Sequence, residues 1–157
     1  MSSAPVQYME RTRTYYAAHG YGKPYRWANF ESVPFEPLIK PLAEATVTLI
    51  TTAMPVLDPS QGTKQVRSGS MLNPPKRLFT DDLAWDKDAT HTDDLDSFLP
   101  VHHLQDLAGE GRIGKLTGQF HCVPTEYSQR RTLEADGPEI LRRCRADEVD
   151  VAILVPL

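Results

Sequence analysis

The sequence predicts an α/β fold, a small, mostly parallel sheet flanked by helices and entered through an extended proline-rich wrap. Three observations predict it. Thr46-Val47-Thr48-Leu49-Ile50-Thr51-Thr52 is uncharged and β-branched, the composition of a strand covered on both faces. The C-terminal run Val149-Asp150-Val151-Ala152-Ile153-Leu154-Val155-Pro156-Leu157 has the same character and reads as a second buried strand. Helical periodicity recurs between the two, and a helix feeds the last strand directly, which is the grammar of βαβ units.

The elements follow in order. Val6 to His19 suits a short helix ended by Gly20 and Gly22, giving a helical segment over 1–24 ahead of an α/β domain over 25–157. Trp27, Phe30, Phe35 and, further on, Trp85 are expected as packing anchors. Prolines 34, 37 and 41 fix φ and remove donors, so Pro34 to Pro41 should run extended over a surface. Residues 54–77 are broken by Met54-Pro55, Asp58-Pro59, Ser68-Gly69-Ser70 and Asn73-Pro74-Pro75 and read as one long loop. Arg77 to Thr80 is a short strand candidate, and an acidic stretch centred on His91 follows over Asp81 to Ser97.

Pro100 suits a first helical turn, and Val101, Leu104, Leu107 and Ala108 share one face of the helix that Gly109 or Gly111 ends. Ile113–Leu116 and Phe120–Val123 are short strand candidates. Ser128 to Ala146 is helical, with Gly137-Pro138 splitting or restarting it and Asp136 as the cap of the second part. Ile140, Leu141 and Cys144 then share an inner face, and Arg142, Arg143 and Arg145 form a solvated helix end.

Composition bounds the function classes. The chain has 157 residues, 40% of them hydrophobic, and a net charge of −4, which suits one globular domain and lacks the basic footprint of a nucleic-acid binder. Two cysteines make no disulfide framework, so a reducing cytoplasm is expected. No apolar run approaches the ~18 residues of a membrane span.

In open α/β sheets, ligands bind beyond the carboxyl ends of the strands. That rule singles out Thr51 and Thr52 after the first strand, whose hydroxyls suit a carboxylate, and Pro156 after the last. β propensity alone also explains the threonines. His91 is the catalytic candidate, because histidine stabilises an anion or moves a proton near neutral pH, and Thr90 beside it is a substrate-binding candidate. A polar loop histidine among aspartates is the competing reading. No metal site is expected: the aspartates around His91 lack calcium-loop spacing, His102 and His103 diverge on a helix, and His121-Cys122 is half a site.

A wider pattern joins these pieces. Val33-Pro34-Phe35-Glu36-Pro37-Leu38-Ile39-Lys40-Pro41-Leu42-Ala43-Glu44-Ala45 leads into Val47 to Ala53. Thr90-His91, Phe98-Leu99-Pro100, Leu107 to Gly114, Gly137-Pro138-Glu139-Ile140 and the final strand follow in order. Over residues 27–157 this resembles the glycine/sarcosine/betaine reductase component B and D-proline reductase family, with Rossmann-like or flavodoxin-like layering. The resemblance implies reductive cleavage of a C–N bond α to a carboxylate. A low-pKa selenolate or thiolate attacks the α-carbon, a pyruvoyl-bearing companion subunit holds the amine, and a dithiol supplies the electrons.

In that family the strand matching Val151–Pro156 is followed at once by a selenocysteine or cysteine. Leu157 stands just before that position, and neither Cys122 nor Cys144 occupies it. A selenocysteine codon read as a stop, a cleaved or two-chain protein, and a binding remnant all remain open. The expectation is a subunit or truncated form of a selenocysteine- or cysteine-dependent reductase, inactive alone. It would have no cofactor within this chain, a small carboxylate or amine substrate, a homo- or hetero-oligomeric state, and neither nucleic-acid nor membrane partners. The alternative is a non-catalytic binding or assembly module that pairs with a second chain. A metal-dependent hydrolase built on His91 ranks third.

Overall fold

The structure, a computed structural model, describes residues 7–23, 26, 28–55, 65–79, 86, 88–125 and 128–156. Trp27, Trp85, Asp81, Asp82 and Leu157 lie outside the described residues. Two compact units divide the chain, residues 1–35 and 36–157. The first contains helix α1, Tyr8–Ala18, which closes at Gly20 with φ +82°, a left-handed conformation that glycine adopts without strain. No residue of α1 is buried. Phe30 and Phe35 are 69% and 86% exposed, so they are not packing anchors; no described neighbour covers this extended segment.

The second unit is α/β, with a mostly parallel five-stranded sheet of β1 (Thr46–Thr51), β2 (Arg67–Ser70), β3 (Lys115–Leu116), β4 (Gln119–Cys122) and β5 (Val151–Val155). Its helices are α2 (Val101–Gly109), α3 (Gln129–Arg131) and α4 (Gly137–Ala146). β1 is the central strand. β5 pairs with it in parallel from Val47↔Val151 to Thr51↔Val155. β3 and β4 pair in parallel with Thr46–Val47 and Ile50–Thr51, so they follow one another along the opposite edge.

Every residue of β1 is buried, as its composition predicts. Val47 and Leu49 enter the apolar core with Phe120 and Cys122 of β4, Val101 and Leu104 of α2, and Met71, Leu78, Leu99 and Ile113. Leu107 and Ala108 pack against the same cluster, which confirms the predicted face of α2. On the other face of β1 the Thr48 hydroxyl donates to the Gln119 carbonyl and accepts from Thr117, so its burial leaves no polar atom stranded. Asp150 fixes the start of the β1–β5 pair: its carboxylate accepts from the Thr46 amide at 2.8 Å and from Lys40 Nζ at 2.9 Å.

Four expectations are corrected. Residues 54–77 are not one loop, because Arg67–Ser70 pairs antiparallel with β4. Arg-Ser-Gly-Ser has no strand composition; backbone hydrogen bonds hold it in the sheet, and Phe120 packs over Gly69 so closely that a Cβ there would clash with the ring. Gly137-Pro138 does not split the C-terminal helix but restarts it, since α4 begins at Gly137 with Pro138 in its first turn and no break precedes it. One π-helical stretch, Thr132–Asp136, joins α3 to α4. Asp136 is therefore a buried residue in helical conformation and makes no cap bond; the cap is Ser128, whose hydroxyl accepts from the Arg131 amide. β5 is not a fully buried strand: Val151, Ile153 and Val155 pack on the core, while Ala152 is exposed and Leu154 is 71% exposed. Alternation appears because only one face of β5 meets the core.

Candidate functional site

β1, β4 and β5 run in parallel and end on one rim. Register brings three of the sequence-predicted residues there. Thr51 and Thr52 close β1, and Pro156 follows Val155, the partner of Thr51. The Thr51 hydroxyl is buried and engaged: it donates to the Phe98 carbonyl at 3.5 Å and accepts from the Ala53 amide at 3.1 Å. Thr52 is half-exposed, and its carbonyl accepts from the Thr125 hydroxyl at 3.2 Å, tying the β1 and β4 ends of the rim. Pro156 is exposed.

Two links connect the histidine segment to this rim. Met54, just past β1, bridges to Phe79, and the neighbouring Leu78 exchanges hydrogen bonds with the Thr92 hydroxyl in both directions. Thr92 is buried, whereas His91 beside it is exposed, with Asp93 at 3.7 Å from Nδ1. Thr90 is half-exposed, and its amide donates to the Asp86 carbonyl. The segment is anchored through residue 92, and the His91 ring faces solvent.

The two thiols are poor redox centres. Cys122 is fully buried among apolar side chains, and burial pushes its thiol up to about 12. Cys144 is half-buried, and burial with the nearby Asp147 carboxylate raises its thiol as well. A competent thiolate needs the opposite environment. Among the described residues no group of three histidine, cysteine or acidic side chains is placed to hold a metal.

A polar network not anticipated from the sequence lies across the opposite face of β4. His121 is buried, and its Nδ1 stands 2.8 Å from the Ser68 hydroxyl on β2. Arg143 of α4 donates to that hydroxyl at 2.6 Å, to the Val66 carbonyl at 3.3 Å, and to Glu139 at 2.7 Å. Glu139 also receives Arg142, and these guanidiniums hold its carboxyl well below the usual carboxylate range. The other ring nitrogen, Nε2, is buried with no hydrogen-bond partner among the described residues. Burial and Arg143 together lower the His121 pKa against the smaller opposing effects of Asp147 and Glu139.

The network joins β2, β4 and α4, and it corrects the reading of Arg143 as a solvated helix end. The available signal was alternation: Phe120 and Cys122 point into the apolar core, so His121 between them must face the other way. No signal pointed to Ser68.

Fold and rim together define a mostly parallel α/β protein whose β1, β4 and β5 strands end on one side of the sheet. The chain is similar to the glycine reductase complex component B subunit gamma of Carboxydothermus hydrogenoformans, with 28% identity over 134 residues that cover 80% of this chain and 31% of the relative. The chain thus spans about a third of the length of the curated relative it matches. No family model matches the chain. No solved structure matches it. No helix among the described residues is long and apolar enough to cross a membrane.

Proposed function

We propose that this chain is a subunit of a reductase complex of the glycine reductase component B type. Its part is to supply one wall of a pocket for a small α-amino carboxylate or betaine. The observation that carries this reading is the 28% identity over 80% of the chain, and the rim where β1, β4 and β5 end supplies the place for a ligand. Thr52 and the backbone beyond Thr51 would hold the substrate carboxylate, Pro156 would border it, and Thr90 with His91 would approach from the segment tied to Leu78. His91 would pass a proton to the departing amine.

The redox selenocysteine or cysteine supplies the nucleophile in such chemistry. Neither Cys122 nor Cys144 fits that role, since burial raises both thiols. It is therefore proposed to come from outside residues 1–157, as is the pyruvoyl group that would hold the amine. The same thiol environments favour a second reading, a non-catalytic assembly module that pairs with a reductase chain.

The test uses the complex that co-purifies with this chain from its own cells. Dithiol-dependent release of amine from glycine, sarcosine or betaine is expected. A purified complex that releases none overturns the reductase reading. Release that is unaffected by His91→Ala and by Thr52→Val together favours the assembly module.

A further inference from the structure

Helix α1 carries an uncovered aromatic face. Tyr8, Thr12, Tyr15, Tyr16 and His19 recur at i, i+4, i+7, i+8 and i+11, which places them along one side of the helix. Tyr8 is 75% exposed, Tyr15 60% and Tyr16 48%. The rings are already ordered against one another. Tyr15 meets His19 at 4.5 Å between centroids, and Tyr16 meets Tyr15 and Tyr21 edge-on at 5.5 Å. Arg11 and Arg13 border the face on its two sides, with Arg13 also paired to Glu10 at 2.8 Å. A helix of 11 residues with nothing buried is too short to persist in water on propensity alone, so its order is expected to come from a surface that covers it.

Charge says what covers it. In residues 1–35, Arg11, Arg13, Lys23 and Arg26 outnumber Glu10 and Glu31 by two. The whole chain carries −4, so residues 36–157 carry −6. The second unit also has a cleft of about 510 Å³ in which exposed Leu72 and half-exposed Pro74 and Pro75 lie with Asp93, Asp94 and Asp96. Lys76 and His102 also line it, and His102 pairs with Asp96, which leaves Asp93 and Asp94 as the carboxylates open to a partner. Tyrosine rings suit leucine and proline surfaces, and guanidiniums flanking the rings suit the aspartates.

We propose that the aromatic face of α1 docks on the α/β unit of a second copy of this chain, with Tyr8, Tyr15 and Tyr16 on Leu72, Pro74 and Pro75 and with Arg11 and Arg13 toward Asp93 and Asp94. Both halves of the match lie on one sequence, so a reciprocal exchange between two copies closes a symmetric dimer. This inference is independent of the reductase reading.

The test reads oligomeric state by sedimentation of the full chain. Wild type is expected to dimerise, with dissociation promoted by salt. One variant reverses the helix charges, Arg11→Glu with Arg13→Glu; the other reverses the cleft, Asp93→Arg with Asp94→Arg. Each alone is expected to dimerise at least about tenfold more weakly, a loss of about 1.4 kcal/mol. Mixing the two restores opposite charges at both contacts and is expected to restore dimers. Recovery on mixing also shows that both variants are folded. A monomeric wild type, or a dimer indifferent to both reversals, overturns the proposal. Variants that stay monomeric when mixed, with wild-type circular dichroism, overturn it as well.

Discussion

Lowering the pH should act on the fold through His121. Its imidazole is buried, with the Ser68 hydroxyl on Nδ1 and the Arg143 guanidinium on that same hydroxyl. A proton added there would be buried beside a cation, so the native state binds it less readily than the unfolded chain, whose histidine titrates near 6.5. The folded pKa is the depressed one. The stabilising contribution is therefore complete above pH 6.5 and is lost as pH falls from 6.5 toward the folded value. While only the unfolded chain carries the proton, the slope is about 1.4 kcal/mol per pH unit. His121→Gln removes this titration, and His19, His91, His102 and His103 remain in both proteins. Urea unfolding of wild type and variant between about pH 7.5 and 5 measures the effect. The stability advantage of wild type over variant should shrink as the solution is acidified. Curves that stay parallel across the range would refute the reasoning.

Other perturbations follow from the same packing. Gly114→Ala sets a Cβ 2.5 Å from the Glu44 carbonyl carbon and 2.7 Å from the Ala45 oxygen, so backbone must move. Its loss should reach or exceed the upper end of the about 1–3 kcal/mol usual for overpacking, and thermal melting should show a smaller loss for Gly69→Ala, which meets only the Phe120 ring. Phe120→Ala empties the centre of the apolar cluster and should cost about 3–5 kcal/mol in urea unfolding. A thiol reagent should modify Cys144 in the native protein and reach Cys122 only when urea is added; equal native rates would contradict the burial of Cys122. In the purified complex, His91→Ala should lower turnover by about a hundredfold or more if His91 moves a proton in the reaction, and unchanged turnover removes it from that role.

Legibility differed from element to element for physical reasons. β1 and the inner face of α2 were readable because each carries its own periodic apolar signal, and burial follows that signal in the structure. β2 was not, since its place in the sheet depends on hydrogen bonds to β4 and on Phe120 over Gly69, which no local composition encodes. The π-helical stretch at Thr132–Asp136 likewise has no counterpart in the local composition. For the candidate site, the rule of strand carboxyl ends singled out Thr51, Thr52 and Pro156, and register sets them at the ends of β1 and β5 on one rim. The burial of the Thr51 hydroxyl was not visible, because its partners are 47 and two residues away.

By itself the sequence determined the α/β class, the central strand and the helix that feeds the last strand. Each of these follows from side-chain chemistry repeated at a fixed period along the chain. The tertiary structure alone decided that Arg67–Ser70 is a strand and that β5 buries a single face. It alone brought Ser68, His121 and Arg143 together, residues separated by 53 and 75 positions. Contacts at that separation depend on how the layers stack, and stacking is a property of the whole sheet that no window of sequence contains.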